Sequence, residues 1–115
     1  MKEEIRYAHK WVTTDLADIF ASDVPDKKIR YVLKIIITGD QQAARVIDLY
    51  KRKRDDTTAP FVLNVNVEAP EYKEIPQGVY DPEKPILVLE GGTNLAAKVS
   101  GNSLSVTVVY RDDII

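Results

Sequence analysis

The sequence predicts an all-β fold, specifically a two-sheet antiparallel sandwich of the jelly-roll type with about seven or eight strands. Three segments alternate apolar and polar side chains with a period of two, which is typical of strands that bury one face. The clearest of them are residues 27–38, 61–67 and 103–110. Four of the six prolines lie in residues 69–85, which predicts a long extended crossing like the return of a Greek key.

The N-terminal residues 1–11 are predicted to form a charged arm ahead of one domain, residues 12–115, because a chain of 115 residues has room for a single core. The first ten residues show no apolar period, which is typical of a terminus outside the core. Ile5, Tyr7 and Trp11 are candidate anchors for docking this arm on a neighbouring subunit. Tyr and Trp are enriched at interface hot spots.

Two segments fit either a strand or a helix. In residues 13–21, Leu16, Ile19 and Phe20 have helical spacing, yet many neighbouring residues are β-favouring types, so a bent first strand fits equally well. In residues 43–53, polar and apolar residues alternate imperfectly, and a helix with Ala44, Ile47, Asp48 and Lys51 on one side is the alternative. The strand interpretation of this second segment is favoured because strands are predicted on both sides of it.

The last third of the chain predicts three more strand-forming pieces. Residues 86–89 are apolar on both faces, which indicates a central strand. Residues 95–99 form a shorter alternating segment, and residues 100–103 (Ser-Gly-Asn-Ser) predict a hairpin turn that joins it to the final strand. Residues 90–93 contain a glycine pair without the lysine and following helix of a phosphate loop, so they predict a tight turn or bulge.

The composition argues against most catalytic and metal chemistry. The chain has no cysteine, which excludes thiolate metal sites and cysteine nucleophiles, and its single histidine, His9, leaves little for a triad or a histidine-based metal site. The formal net charge of -2 differs from the basic balance of a dedicated nucleic-acid binder, and the basic run at residues 51–54 is followed by Asp55 and Asp56. We therefore expect a protein that is not an enzyme, needs no cofactor and does not bind nucleic acid.

The apolar runs are also too short for a membrane helix, which needs about 20 apolar residues. The longest are residues 35–37 and 86–89. No apolar segment follows the charged N-terminus as it would in a secretory signal. These features predict a cytoplasmic protein, or one that an assembled particle carries.

The order of turns and strands from residue 12 to residue 111 forms a pattern of its own. It has a Thr-rich start, a Val-Pro turn, a long alternating strand, a strand ending in Tyr, a Leu-rich strand before a glycine turn, and a Val-rich strand ending in Tyr. In order, these pieces are Val12-Thr13-Thr14, Val24-Pro25-Asp26-Lys27-Lys28, residues 29–37, residues 46–50, residues 87–95 and residues 104–110. The pattern resembles that of small phage virion proteins with a jelly-roll fold.

The resemblance implies a structural component of a virion, such as a capsid decoration or tail-associated subunit, that has no active site. Proteins of this kind are commonly trimeric, so the expected partners are copies of this chain and a capsid or other shell protein. The expected location is the virion, assembled in the host cytoplasm. Ile114 and Ile115 are further candidate contacts, because exposed apolar residues at the end of the chain are unfavourable unless they pack on something.

A carbohydrate- or ligand-binding β-sandwich module is the alternative function. Such a module needs exposed aromatic side chains beside polar groups. The candidates for this role are Trp11, Tyr72 and Tyr80, the last two in the proline-rich crossing.

Overall fold

The computed structural model describes residues 4–39, 45–53, 61–67, 72–101 and 103–115, and these residues form strands and irregular connections without a helix. None of them therefore lies in a helix that could span a membrane. The strands are β1 (Arg6–Val12), β2 (Ala17–Asp18), β3 (Lys28–Thr38), β4 (Arg45–Lys53), β5 (Phe61–Val67), β6 (Tyr72–Ile75), β7 (Leu87–Leu89), β8 (Thr93–Val99) and β9 (Leu104–Ile114).

The strands form two antiparallel sheets. The five-stranded sheet has the order β1-β9-β3-β6, with β7 also paired to β3, and the four-stranded sheet has the order β2-β8-β4-β5. β1 pairs with β9, β2 with β8, β3 with both β6 and β7, and β4 with β5. Each pair therefore lies inside the previous one along the chain, which is the nested pairing of a jelly roll. Since β6 and β7 both pair with β3 and not with each other, they act as one interrupted strand. The predicted sandwich is confirmed.

Both ambiguous segments are extended. Residues 13–21 contain only the short strand β2, and Ile19 N donates to Leu95 O at 2.7 Å, which holds the bend against the four-stranded sheet. Residues 45–53 form β4, whose side chains alternate between buried and half-buried along most of the strand. Its pairing with both β5 and β8 stabilises a strand over a helix. Residues 43 and 44 of this predicted segment lie outside the described residues.

The expected arm is partly a strand of the sheet. β1 pairs with β9 residue by residue from Arg6 to Val12, so the predicted boundary between residues 11 and 12 falls inside a strand. Only Val12 of β1 is buried. An edge strand with so little burial has no need of alternating apolar residues, which is why its sequence shows no period.

Two predictions, one about the position of β7 and one about residues 100–103, are wrong. β7 was expected to be central, but it is a three-residue edge strand that pairs only with β3 among the described residues, and Val88 is 40% exposed. Residues 100–103 do not form a hairpin turn, because β8 and β9 belong to different sheets. The buried Arg45 guanidinium donates to the carbonyls of Gly101 and Ser103 and so braces this crossing between the sheets.

A β-bulge in β3 exchanges the two faces of the longest strand. The register with β9 shifts between Val32 and Lys34, which inserts one extra residue at Leu33. Val32 before the bulge and Ile35 and Ile37 after it belong to the core between the sheets. The simple alternation predicted for residues 29–37 therefore breaks at the bulge. Even-numbered residues such as Val32 face the core before it, and odd-numbered residues such as Ile35 face the core after it.

An ion pair is buried beside the aliphatic core. The Arg30 guanidinium donates to both carboxylate oxygens of Asp112, at 2.7 and 2.8 Å. The same guanidinium lies 4.4 Å from the ring centroids of both Phe20 and Tyr110. The two rings and the carboxylate together surround the charge and link β3, β9 and the segment after β2.

Candidate interaction surface

The outward face of the five-stranded sheet displays three of the predicted contact residues. Tyr7 and Trp11 project from β1 and are 72% and 57% exposed, and Tyr72 projects from β6 and is 54% exposed. β1 and β6 stand at opposite edges of the sheet order. Each edge of this face therefore carries at least one large, exposed aromatic side chain on a backbone that strand pairing holds in place.

Strand pairing places two of these aromatic residues in one row. Trp11 pairs with Ser105, Ser105 with Thr38, and Thr38 with Tyr72. Side chains of directly opposed residues in antiparallel strands lie on the same face. This set, Trp11-Ser105-Thr38-Tyr72, is called the aromatic row. Three strand spacings separate its ends, a distance of about 14 Å between backbones.

Three exposed side chains of β1, those of Tyr7, His9 and Trp11, form a second feature, which is called the β1 column. The three alternate positions project from the same side of the strand. His9 Nε2 lies 2.7 Å from the Ser105 hydroxyl, and the His9 ring meets the Trp11 ring edge-on, with centroids 5.7 Å apart. These contacts orient His9 and Trp11 on the sheet, so His9 has a packing role within an aromatic surface.

At the other edge, an ionic cluster holds Tyr72 in place. Lys34 Nζ lies 3.0 Å from a Glu74 carboxylate oxygen and also donates to the Gly78 carbonyl, while Gly78 N donates to Glu74. The hydrogen bond from Tyr72 and the neighbouring Lys34 hold the pKa of Glu74 below its usual range, and the same Tyr72–Glu74 bond raises the pKa of Tyr72. Beside this cluster, Tyr72, Glu74 and Gln77 line a polar surface depression of about 190 Å³.

The remaining predicted contact residues are not part of the aromatic row. Tyr80 is half-buried in the connection between β6 and β7. Ile5 is 37% exposed just ahead of β1. Ile114 and Ile115 are 43% and 71% exposed at the far end of β9, nine residues along the strand from Ser105. That separation along a strand is about 30 Å. The terminal isoleucines therefore belong to a different part of the surface.

Two residues of the basic run after Tyr50, Lys51 and Arg52, are held in ion pairs. Lys51 Nζ lies 2.6 Å from Glu90, and Arg52 makes two contacts of 2.7 Å with Asp18 and one of 2.6 Å with Asp23. The hydrogen bond to Asp18 also raises the pKa of Arg52. Arg52 thus links β4 to the β2 segment, and Lys51 links β4 to the turn between β7 and β8. Arg54, Asp55 and Asp56 lie outside the described residues.

Sequence reasoning missed His9, Ser105 and Thr38 as members of this surface. The alternation in residues 103–110 already marked Ser105 as an outward position, and the same pattern marked Thr107. No local signal indicates that Thr38 and Trp11 flank Ser105, because these pairings join residues far apart in the chain.

Within the described ranges, no cluster of three or more His, Cys, Asp or Glu side chains is arranged to hold a metal ion. The surface features that the fold does assemble are the β1 column and the aromatic row. A scan against protein-family models and a search of curated proteins found no match to the chain.

Proposed function

We propose that this chain is a non-enzymatic structural protein of a virion or other particle surface, which associates with copies of itself and docks on a shell protein. The observation that carries the proposal is the β1 column. Tyr7 and Trp11 are more than half exposed on a strand whose backbone is paired along its whole length. Aromatic side chains on a rigid strand lose little conformational entropy on binding, which makes them effective interface anchors.

The edge of β1 supports the same proposal. β1 ends the order of the five-stranded sheet and pairs only with β9 among the described strands. An exposed sheet edge beside exposed aromatic residues is suited to contact with another protein chain. A closed homotrimer would repeat this contact three times, and many weak copies on a shell would gain strength by avidity.

The test is light scattering after size exclusion on the full chain and on a Tyr7→Ser/Trp11→Ser variant. We expect the unmodified chain to form a trimer or larger oligomer. The dissociation constant of the variant oligomer should be at least tenfold higher. Val79→Ser is the matched control, since Val79 is 96% exposed but lies outside the sheet face. A chain that stays monomeric at every concentration and binds no shell would contradict the proposal.

Carbohydrate binding is a second candidate, and the aromatic row is the observation that favours it. Trp11 and Tyr72 offer apolar ring faces from backbones about 14 Å apart, with the hydroxyls of Ser105 and Thr38 between them. Rings with hydroxyls between them suit an extended sugar chain, whose own surface alternates apolar and hydroxyl-bearing parts.

Replacement of Tyr72 by Ala separates the two candidates. If the row binds sugar, calorimetric titration with oligosaccharides will show at least tenfold weaker binding for Tyr72→Ala and for Trp11→Ala, whereas Tyr72→Ala will leave self-association unchanged. Tyr7→Ser should weaken self-association and leave sugar binding unchanged. Lack of any sugar binding at millimolar ligand would exclude the second candidate.

A further inference from the structure

A cavity of about 200 Å³ lies between the two sheets, and the described residues that line it are seven aliphatic side chains. Its floor comes from strands of both sheets: Ile35 and Leu49 are 1% exposed and Leu95 is fully buried. Its rim includes Leu63, Ile75 and Leu87, which are half-buried on β5, β6 and β7. The floor is therefore shielded from solvent, while the rim is partly exposed.

Among the described residues, the lining has no polar side chain with which a bound water could hydrogen-bond. An apolar cavity of this kind stays dry, and one of about 150 Å³ in another protein is known to bind benzene or xenon. Side chains that line a cavity lack protein dispersion partners on the side that faces it. A hydrocarbon ligand would restore those contacts and cover the half-buried rim.

We propose that this cavity is a binding site for an uncharged hydrocarbon group the size of one aromatic ring. The site is separate from the outward face of the sheet, so the proposal does not depend on the function proposed above. Its ligand class follows from the lining: aliphatic walls favour apolar groups, and a charged or hydrogen-bonding group placed on the floor would lose its water without gaining a partner.

The direct test is a titration of the full chain with benzene, followed by methyl NMR. We expect saturable shifts in the methyl resonances of Ile35, Leu49 and Leu95, with a dissociation constant in the millimolar range or below. The melting temperature should rise with benzene concentration, because a ligand that binds only the folded state stabilises it by mass action.

Leu63→Phe is the matched blocking variant, because it adds volume at the rim and keeps the side chain apolar. We expect it to abolish the methyl shifts, whereas Leu16→Phe, at a 44% exposed position that does not line the cavity, should retain them. The wild-type titration stands by itself if Leu63→Phe fails to fold. Absence of saturable shifts at the floor residues, or shifts that a folded Leu63→Phe retains, would overturn the proposal.

Discussion

Replacement of Asp112 by Ala is expected to lower the free energy of unfolding by about 3–5 kcal/mol. The reason is the Arg30 guanidinium, which is almost completely buried and donates to both oxygens of this carboxylate. The variant leaves a positive charge between the Phe20 and Tyr110 rings without its anionic partner. The loss is large beside the total stability of about 5–15 kcal/mol that is usual for a domain.

Urea denaturation of Asp112→Ala measures this loss, and Asp15→Ala is the control, since Asp15 is exposed in the connection before β2. We expect the control to change the free energy of unfolding by less than about 0.5 kcal/mol. The double variant Arg30→Met/Asp112→Leu should recover most of the stability, because it removes both charges and keeps the volume apolar. An Asp112→Ala variant as stable as Asp15→Ala would show that the ion pair is not buried as described.

Replacement of Gly91 by Ala is expected to destabilise the fold by about 1–3 kcal/mol, the range typical of an overpacked site. A Cβ at this position would lie 2.7 Å from Asp26 Cα, 2.8 Å from Asp26 O and 2.9 Å from Pro25 O. All three are backbone atoms, so no side-chain rotation relieves the clash. The adjoining Gly92 has a φ of 81° and its N–H donates to Val24 O at 2.8 Å, which holds the two turns together.

Gly101→Ala is the matched control for this substitution, because a Cβ at Gly101 meets no atom of the described residues within 4 Å. Both variants change the same residue type in a connection next to β8 and add the same methyl group. The denaturation midpoint of Gly101→Ala should therefore be close to that of the unmodified chain, and the midpoint of Gly91→Ala should be well below it. Equal midpoints for the two variants would contradict the close approach of the turns before β3 and after β7.

The sequence was sufficient to predict the fold class and most strands, because alternation with a period of two is a local property. Residues 61–67 and 104–110 alternate cleanly and are strands in the structure. The predictions failed where the environment, and not the local pattern, decides the outcome. Residues 86–89 are apolar on both faces, but β7 is an edge strand whose apolar side chains cover the open side of the core.

The candidate surface was predicted only as separate residues. Tyr7, Trp11 and Tyr72 could be selected as exposed aromatic residues from composition and position. Their arrangement depends on β1 pairing with β9 and β6 with β3, contacts between residues that are far apart in sequence. A shift of one residue in either pairing would move the outward side chains of the shifted strand to the inner face.

By itself, therefore, the sequence determined that this chain forms a β-sandwich, where most of its strands lie, and which residue types are available for contact. The tertiary structure alone decided the bulge at Leu33, the crossing at residues 100–103, the aromatic row and the apolar cavity. The physical reason is that side-chain alternation acts between near neighbours. Strand register and sheet assignment are instead set by packing between segments brought together across the whole chain.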